Sequence, residues 1–138
     1  MPNFQDLYTS LGHLFYSIAA SDGKVRPAET EKLKALVKER WMPLESSRDE
    51  FGTDAGHYID IGFDYANGEG ISPDVAFERF AQHVREHPGT YDAGLRRIAR
   101  ESAVAIANAF GGRNASEVDR LAQLDRLFRE CPVQEVRS

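Results

Sequence analysis

One cysteine, one tryptophan and two methionines in 138 residues leave several chemistries with little to work on. The lone thiol, Cys131, rules out an internal disulfide and makes a reducing cytoplasm the expected location. No base or second cysteine adjoins it in sequence, so a partly buried thiol at a helix end is expected and a nucleophile is not. Nowhere do about eighteen apolar residues run together. The opening MPNFQDLYTS lacks both a basic flank and a continuous apolar stretch, so neither a membrane span nor a secretory signal is expected. Cationic excess is missing too. A formal net charge of −5 argues against nucleic acid, whose binding needs clustered cations to neutralise phosphates. Sustained strand alternation and hairpin turns are also lacking, which points to an all-α fold in a single domain spanning 1–138.

Charge is present but unevenly placed. Glu45, Asp49, Glu50, Asp54, Asp60, Asp64, Glu69 and Asp74 are opposed only by Arg48 within that stretch, a local balance of −7, while the rest of the chain sums to +2. An acidic segment of this kind serves either as a solvated face that aids solubility or as an attractor for a cation or a basic protein surface.

The chain also repeats itself. IAASDGKVRPAETEKLKAL, residues 18–36, aligns at an offset of 88 with IANAFGGRNASEVDRLAQL, residues 106–124. Ile18, Ala19, Gly23, Glu29, Leu33 and Leu36 recur as Ile106, Ala107, Gly111, Glu117, Leu121 and Leu124, with Lys32 and Arg120 as a charge-conserving pair. Each copy reads as helix, tight turn, helix. Pro27 suits a first helical position in the first copy, and Asn114 with Glu117 has the spacing of a capping box in the second.

Taken in order, Phe4, Leu7, Leu11, Leu14, Phe15 and Ile18 predict an amphipathic helix from Asn3 to Ala20. Leu33, Leu36, Val37 and Trp41 give a second helix one apolar face, closed by Pro43. Leu44 to Thr53 has no period and is expected to be a loop with one helical turn in it at most. A third helix is expected from Asp54 to Ala66, with Ile59, Gly62, Phe63 and Ala66 on one stripe, Asp60 and Asp64 on another, and NGEG as its end. Ser72-Pro73-Asp74 starts a fourth that carries Ala76, Phe77, Phe80, Ala81 and Val84 inward and stops before Pro88. A long helix follows from Thr90 to about Ala109, rich in small residues, and a last one carries Val118, Leu121, Leu124 and Phe128 up to Cys131. The expectation is a compact bundle of six to seven helices built from two related helix-turn-helix halves.

Three motifs touch on chemistry. Asp22, Gly23, Val25 and Glu29 match the back half of a calcium-binding EF-hand loop, but Ile18 and Ala20 occupy ligand positions in its front half, so a standard loop is excluded. The two carboxylates could instead join Asp60 and Asp64 in a non-standard site for calcium, magnesium or zinc, or they could simply close a turn and cap a helix. His83-Val84-Arg85-Glu86-His87 matches the H-x-x-E-H pattern of inverted zinc peptidases, yet Pro88 ends the helix at once and no third ligand is marked. Two imidazoles one turn apart remain able to hold zinc or nickel, and a histidine in a last helical turn also complements the helix dipole. Gly68 and Gly70 lack the lysine of a phosphate loop. His13 and His57 have no partner readable in sequence.

The run A-x-x-D-G-K-V-x-x-x-E, carried by Ala19 to Glu29 and followed by a leucine ladder to Leu36, resembles the TerB-like family. That family is known from tellurite-resistance proteins and from the N-terminal domain of a membrane-anchored DnaJ-type co-chaperone. The resemblance implies a single all-helical domain of two related halves and places Asp22 and Glu29 in an acidic patch that binds metal cations or partners, with roles in stress response and no known catalysis. In the second half Phe110 and Gly112 replace the acidic and polar positions of the motif. The resulting expectation is a non-enzymatic module that binds a divalent cation or a basic protein partner through an acidic face including Asp22, Glu29, Asp60 and Asp64. It is expected to be cytoplasmic, a monomer or weak homodimer, and not to bind nucleic acid. A plain interaction scaffold without metal is the alternative, and a zinc hydrolase using His83, Glu86 and His87 is a third reading.

Overall fold

The structure, a computed structural model, describes residues 4–20, 30–37, 39, 50–91, 93–109 and 115–131. These residues are helical almost throughout: α1 (Phe4–Ala19), α2 (30–37), α3 (Glu50–Glu69), α4 (Pro73–Glu86), a 3-10 turn (Pro88–Thr90), α5 (Ala93–Ala109) and α6 (Ala115–Glu130). No strand occurs among them. The all-α bundle expected from the sequence is what forms.

α1 is the axis of the bundle, packed against α3, α4, α5 and α6. From Leu7 to Ala20 every residue except Thr9 is buried, including Ser10, Gly12, His13 and Ser17. The helix expected to be amphipathic is therefore buried nearly all round. The reason is visible in the sequence: no charged residue lies between Leu7 and Ala20, so no face of the helix needs water. Ser17 returns its hydroxyl to the Leu14 carbonyl at 2.6 Å, and Tyr16 donates to the Ile71 carbonyl at 2.7 Å.

α1 and α3 approach each other closely. A Cβ on Gly12 would lie 2.3 Å from the Ile59 carbonyl oxygen, and one on Gly62 would lie 2.3 Å from that of Thr9. The two glycines let backbone meet backbone, and this brings Phe63 edge-on to Tyr16 with ring centres 5.7 Å apart.

Helix ends follow their local chemistry. α3 extends a turn beyond the expected Asp54–Ala66 at each end, beginning at Glu50, inside the loop segment that allows one helical turn, and running through Asn67 and Gly68. It stops where Gly70 takes φ +65°, the Gly70 N–H meeting the Asn67 carbonyl at 3.3 Å and the Ile71 N–H meeting that of Ala66 at 3.1 Å. This paired pattern is a Schellman motif, and only the last glycine of NGEG is its turn residue. Ser72 accepts the Val75 N–H at 3.1 Å and caps α4, with Pro73 behind it, as expected. All five residues predicted to point inward from α4 are buried. α5 starts three residues later than expected, because Pro88 to Thr90 form a separate 3-10 turn.

Both copies of the internal repeat place their apolar residues in one core: Ile18, Ala19 and Leu33 are buried, as are Ile106, Ala107, Leu121 and Leu124. Gly23 and Gly111 lie outside the described residues.

Candidate functional site

α3 carries Glu50, Asp54, Asp60, Asp64 and Glu69 and neither lysine nor arginine. Its inner stripe of Ile59, Gly62, Phe63 and Ala66 is buried against the core. The opposite stripe, His57, Ile61, Asp64, Tyr65 and Gly68, recurs at three- and four-residue intervals and is exposed. Ile61 keeps 43% and Tyr65 51% of its surface, two of the most exposed large apolar side chains among the described residues. Tyr65 is braced from beneath: the buried His13 ring of α1 meets it edge-on at 6.3 Å. An aromatic held on one side and open on the other, beside the exposed Asp64, has the make-up of an interface anchor.

Of the four carboxylates expected to gather around a cation, Asp22 and Glu29 lie outside the described residues. Asp60 is half-buried and Asp64 exposed, both on α3. A cation already sits with them. Lys34 of α2 donates to Asp64 at 2.9 Å, and its ammonium is held above the usual lysine range by that hydrogen bond first, and by the charges of Asp64, Asp60 and Glu31. The lysine lies thirty positions away in sequence, which is why spacing alone did not reveal it. Among the described residues no group of three histidine, cysteine, aspartate or glutamate side chains lies close enough to hold a metal ion.

The H-x-x-E-H residues end up in a different arrangement from a peptidase site. His83 Nδ1 lies 2.8 Å from the hydroxyl of Tyr91, a fully buried residue, and Ser10 of α1 hydrogen-bonds the same tyrosine oxygen. Glu86 accepts from Gln82 at 3.1 Å on the exposed side of α4. His87 leaves the helix with φ −136°, but its N–H still reaches the His83 carbonyl at 2.9 Å, and its ring lies 4.7 Å from that of His83.

Elsewhere an open cleft of about 740 Å³ runs between α2 and α5, lined by Lys32, Ala35, Leu36, Glu39, Ala105 and Asn108. A second, about 450 Å³, lies between α4 and α6. Its arginines Arg85, Arg120 and Arg126 are matched in number by Asp74, Glu78 and Glu130, so it favours neither sign of charge. Arg120 donates to Asp74 at 2.7 Å and lies over the Phe77 ring, a use of that repeat position unlike the exposed Lys32 of the first copy.

Sequence reasoning missed Tyr91, Arg96 and Gly12. Arg96 is buried and donates to the carbonyls of Tyr91 (2.6 Å), Phe128 (3.1 Å), Cys131 (2.5 Å) and Pro88 (3.4 Å), tying the end of α6 to the 3-10 turn. An arginine inside a helix of alanines carries no signal that separates this role from a surface charge.

Comparison of the chain with protein-family models, with curated proteins and with solved structures finds no match.

Proposed function

We propose that this chain is a non-enzymatic binding module that takes a basic protein segment on the exposed face of α3. The observation that carries the reading is the pairing of Ile61 and Tyr65, exposed and one helical turn apart, with a helix that has five carboxylate residues and no cation of its own. Aromatic and aliphatic anchors supply affinity at an interface, while surrounding charge of one sign selects the partner and speeds encounter.

Of the two occupants expected for an acidic face, a divalent cation and a basic protein surface, the second has the better support. Lys34 already binds Asp64 as a partner's lysine would, and a metal ion at Asp60 and Asp64 would have to displace it. Asp22 and Glu29 remain part of the proposed acidic patch by resemblance, as does a TerB-like stress-response role of the tellurite-resistance type. A zinc hydrolase gains nothing from the geometry, in which Glu86 bonds Gln82 on the exposed side of α4. A scaffold without metal is the same proposal stripped of its cation.

Selection from a displayed random-peptide library provides the test, since it presumes no partner identity. Enriched peptides should carry lysine or arginine around one or two spaced apolar residues, and their affinity should fall as salt rises. Tyr65→Ala should weaken them by about 1 to 2 kcal/mol, roughly five- to thirtyfold. Enrichment of neutral or acidic peptides, or binding indifferent to Tyr65→Ala, would overturn the proposal.

A further inference from the structure

At the opposite end of the acidic segment's neighbour α4, we infer that His83 and His87 form a chelating site for a divalent transition-metal ion of the copper, nickel and zinc type, with Tyr91 as the residue that positions His83. The site lies apart from the α3 face and does not depend on it.

Four observations carry this. The first is spacing: His87 has left the helix, yet its N–H bond to the His83 carbonyl keeps it one turn above His83, and Pro88 follows it into a 3-10 turn that fixes the exit of the chain. The second is the separation of the rings. Two imidazoles sharing one ion at about 2.0–2.1 Å from each nitrogen, with a bond angle between square and tetrahedral, place their ring centres roughly 4.5–5.3 Å apart. The observed separation is 4.7 Å. The third is the occupied nitrogen. Tyr91 engages Nδ1 of His83 at 2.8 Å, which leaves Nε2 as the ligating atom, the division of labour found when a metal-bound histidine is oriented by an outer partner. The fourth is exposure: His83 is half-buried and His87 exposed, so an ion has access and its remaining positions are open to water.

The hydrogen-bond chain behind His83 accommodates the ion without net proton release. Ser10 and Tyr91 carry hydroxyls that both donate and accept. Without metal, Ser10 donates to Tyr91 and Tyr91 donates to Nδ1, so the imidazole proton resides on Nε2. With metal on Nε2, that proton resides on Nδ1 and is donated to the Tyr91 oxygen, while the tyrosine hydroxyl turns toward Ser10. The Tyr91 hydroxyl, donor and acceptor at once, serves either direction. Two imidazoles, with no group of three histidine, cysteine or carboxylate ligands among the described residues, favour transition ions over calcium and magnesium.

The test is calorimetric titration of the full chain, free of any polyhistidine tag, with the chloride salts of copper(II), nickel(II), zinc(II) and magnesium. One equivalent of each transition ion should bind, copper most tightly, with nothing for magnesium. His87→Gln touches an exposed residue and leaves the core intact, and it should cut copper affinity tenfold or more. Tyr91→Phe, which keeps the buried ring and removes only the hydroxyl, should cut it by about ten- to a hundredfold. Electron paramagnetic resonance of the copper form should show two coordinated imidazole nitrogens in the native chain and one in His87→Gln. Copper binding unchanged in His87→Gln would overturn the site. Loss in His87→Gln with no effect of Tyr91→Phe would overturn the positioning role and reduce the pair to an adventitious ion only.

Discussion

His13 is the residue whose chemistry is least at ease with its place. It is buried on the central helix, its Nε2 has no hydrogen-bond partner among the described residues, and burial first, then the Arg79 guanidinium, bring its pKa down to about 4. An unfolded histidine titrates near 6.5, so between pH 6.5 and about 4 the unfolded chain holds a proton that the folded chain does not. Stability is therefore full above pH 6.5 and declines as pH falls to about 4, where the loss levels off at about 2 kcal/mol after allowing for solvent screening. The directional shift of His83 adds to the same decline. Urea denaturation across this window checks it: His13→Gln should flatten much of the slope, and a slope unchanged in that variant would assign the decline to other groups.

Arg96 makes the complementary point about a charge that is buried and satisfied. Its planar fork reaches four carbonyls that an ammonium cannot serve together. Arg96→Lys is expected to lose about 2–4 kcal/mol in denaturant unfolding, since breaking the fork leaves buried acceptors without donors. Arg100→Lys, at an exposed pair with Asp125, should lose only about 0.2–1 kcal/mol. Equal losses in the two would contradict the account of the buried fork.

Among the elements, the crossing of α1 and α3 sets how closely the central helix and the acidic helix sit. Gly62→Ala and Gly12→Ala each place a methyl carbon about where a backbone carbonyl now lies, and backbone has little freedom to give way. Each should destabilise by about 1–3 kcal/mol or more and lower the melting temperature, whereas Gly68→Ala, with nothing near its added carbon, should be neutral or slightly stabilising. Much of this level was legible. The stripe Ile59, Gly62, Phe63, Ala66 and the cap Ser72-Pro73 follow from periods and capping rules that act within a few residues. What was missed acts across the chain. Gly12 gains its meaning only from Gly62 fifty positions on, and Tyr91 becomes core only because the 3-10 turn folds it back over α4, where it meets Phe80 edge-on at 5.8 Å. The central placement of α1 was written as an absence of charge, a signal that a search for apolar periodicity passes over.

For the whole molecule, the uneven charge of the sequence is gathered largely on one long helix, with an apolar inner face and an outer one that presents Ile61, Asp64 and Tyr65. Asp60 and Asp64 were marked in advance as a site, and the structure puts Lys34 against them, so the acidic face is answered by a lysine of this same chain before any partner arrives. Ile61 and Tyr65 were not marked, because an exposed apolar residue looks in sequence like any other. The most direct measurement is amide chemical-shift mapping of the full chain during titration with a basic peptide enriched on it. The account predicts shifts concentrated at His57, Ile61, Asp64, Tyr65 and Gly68, reached in Tyr65→Ala only at roughly five- to thirtyfold higher peptide concentration. Shifts centred on the α2–α5 cleft or the α4–α6 cleft would contradict it and move the binding surface off the acidic helix.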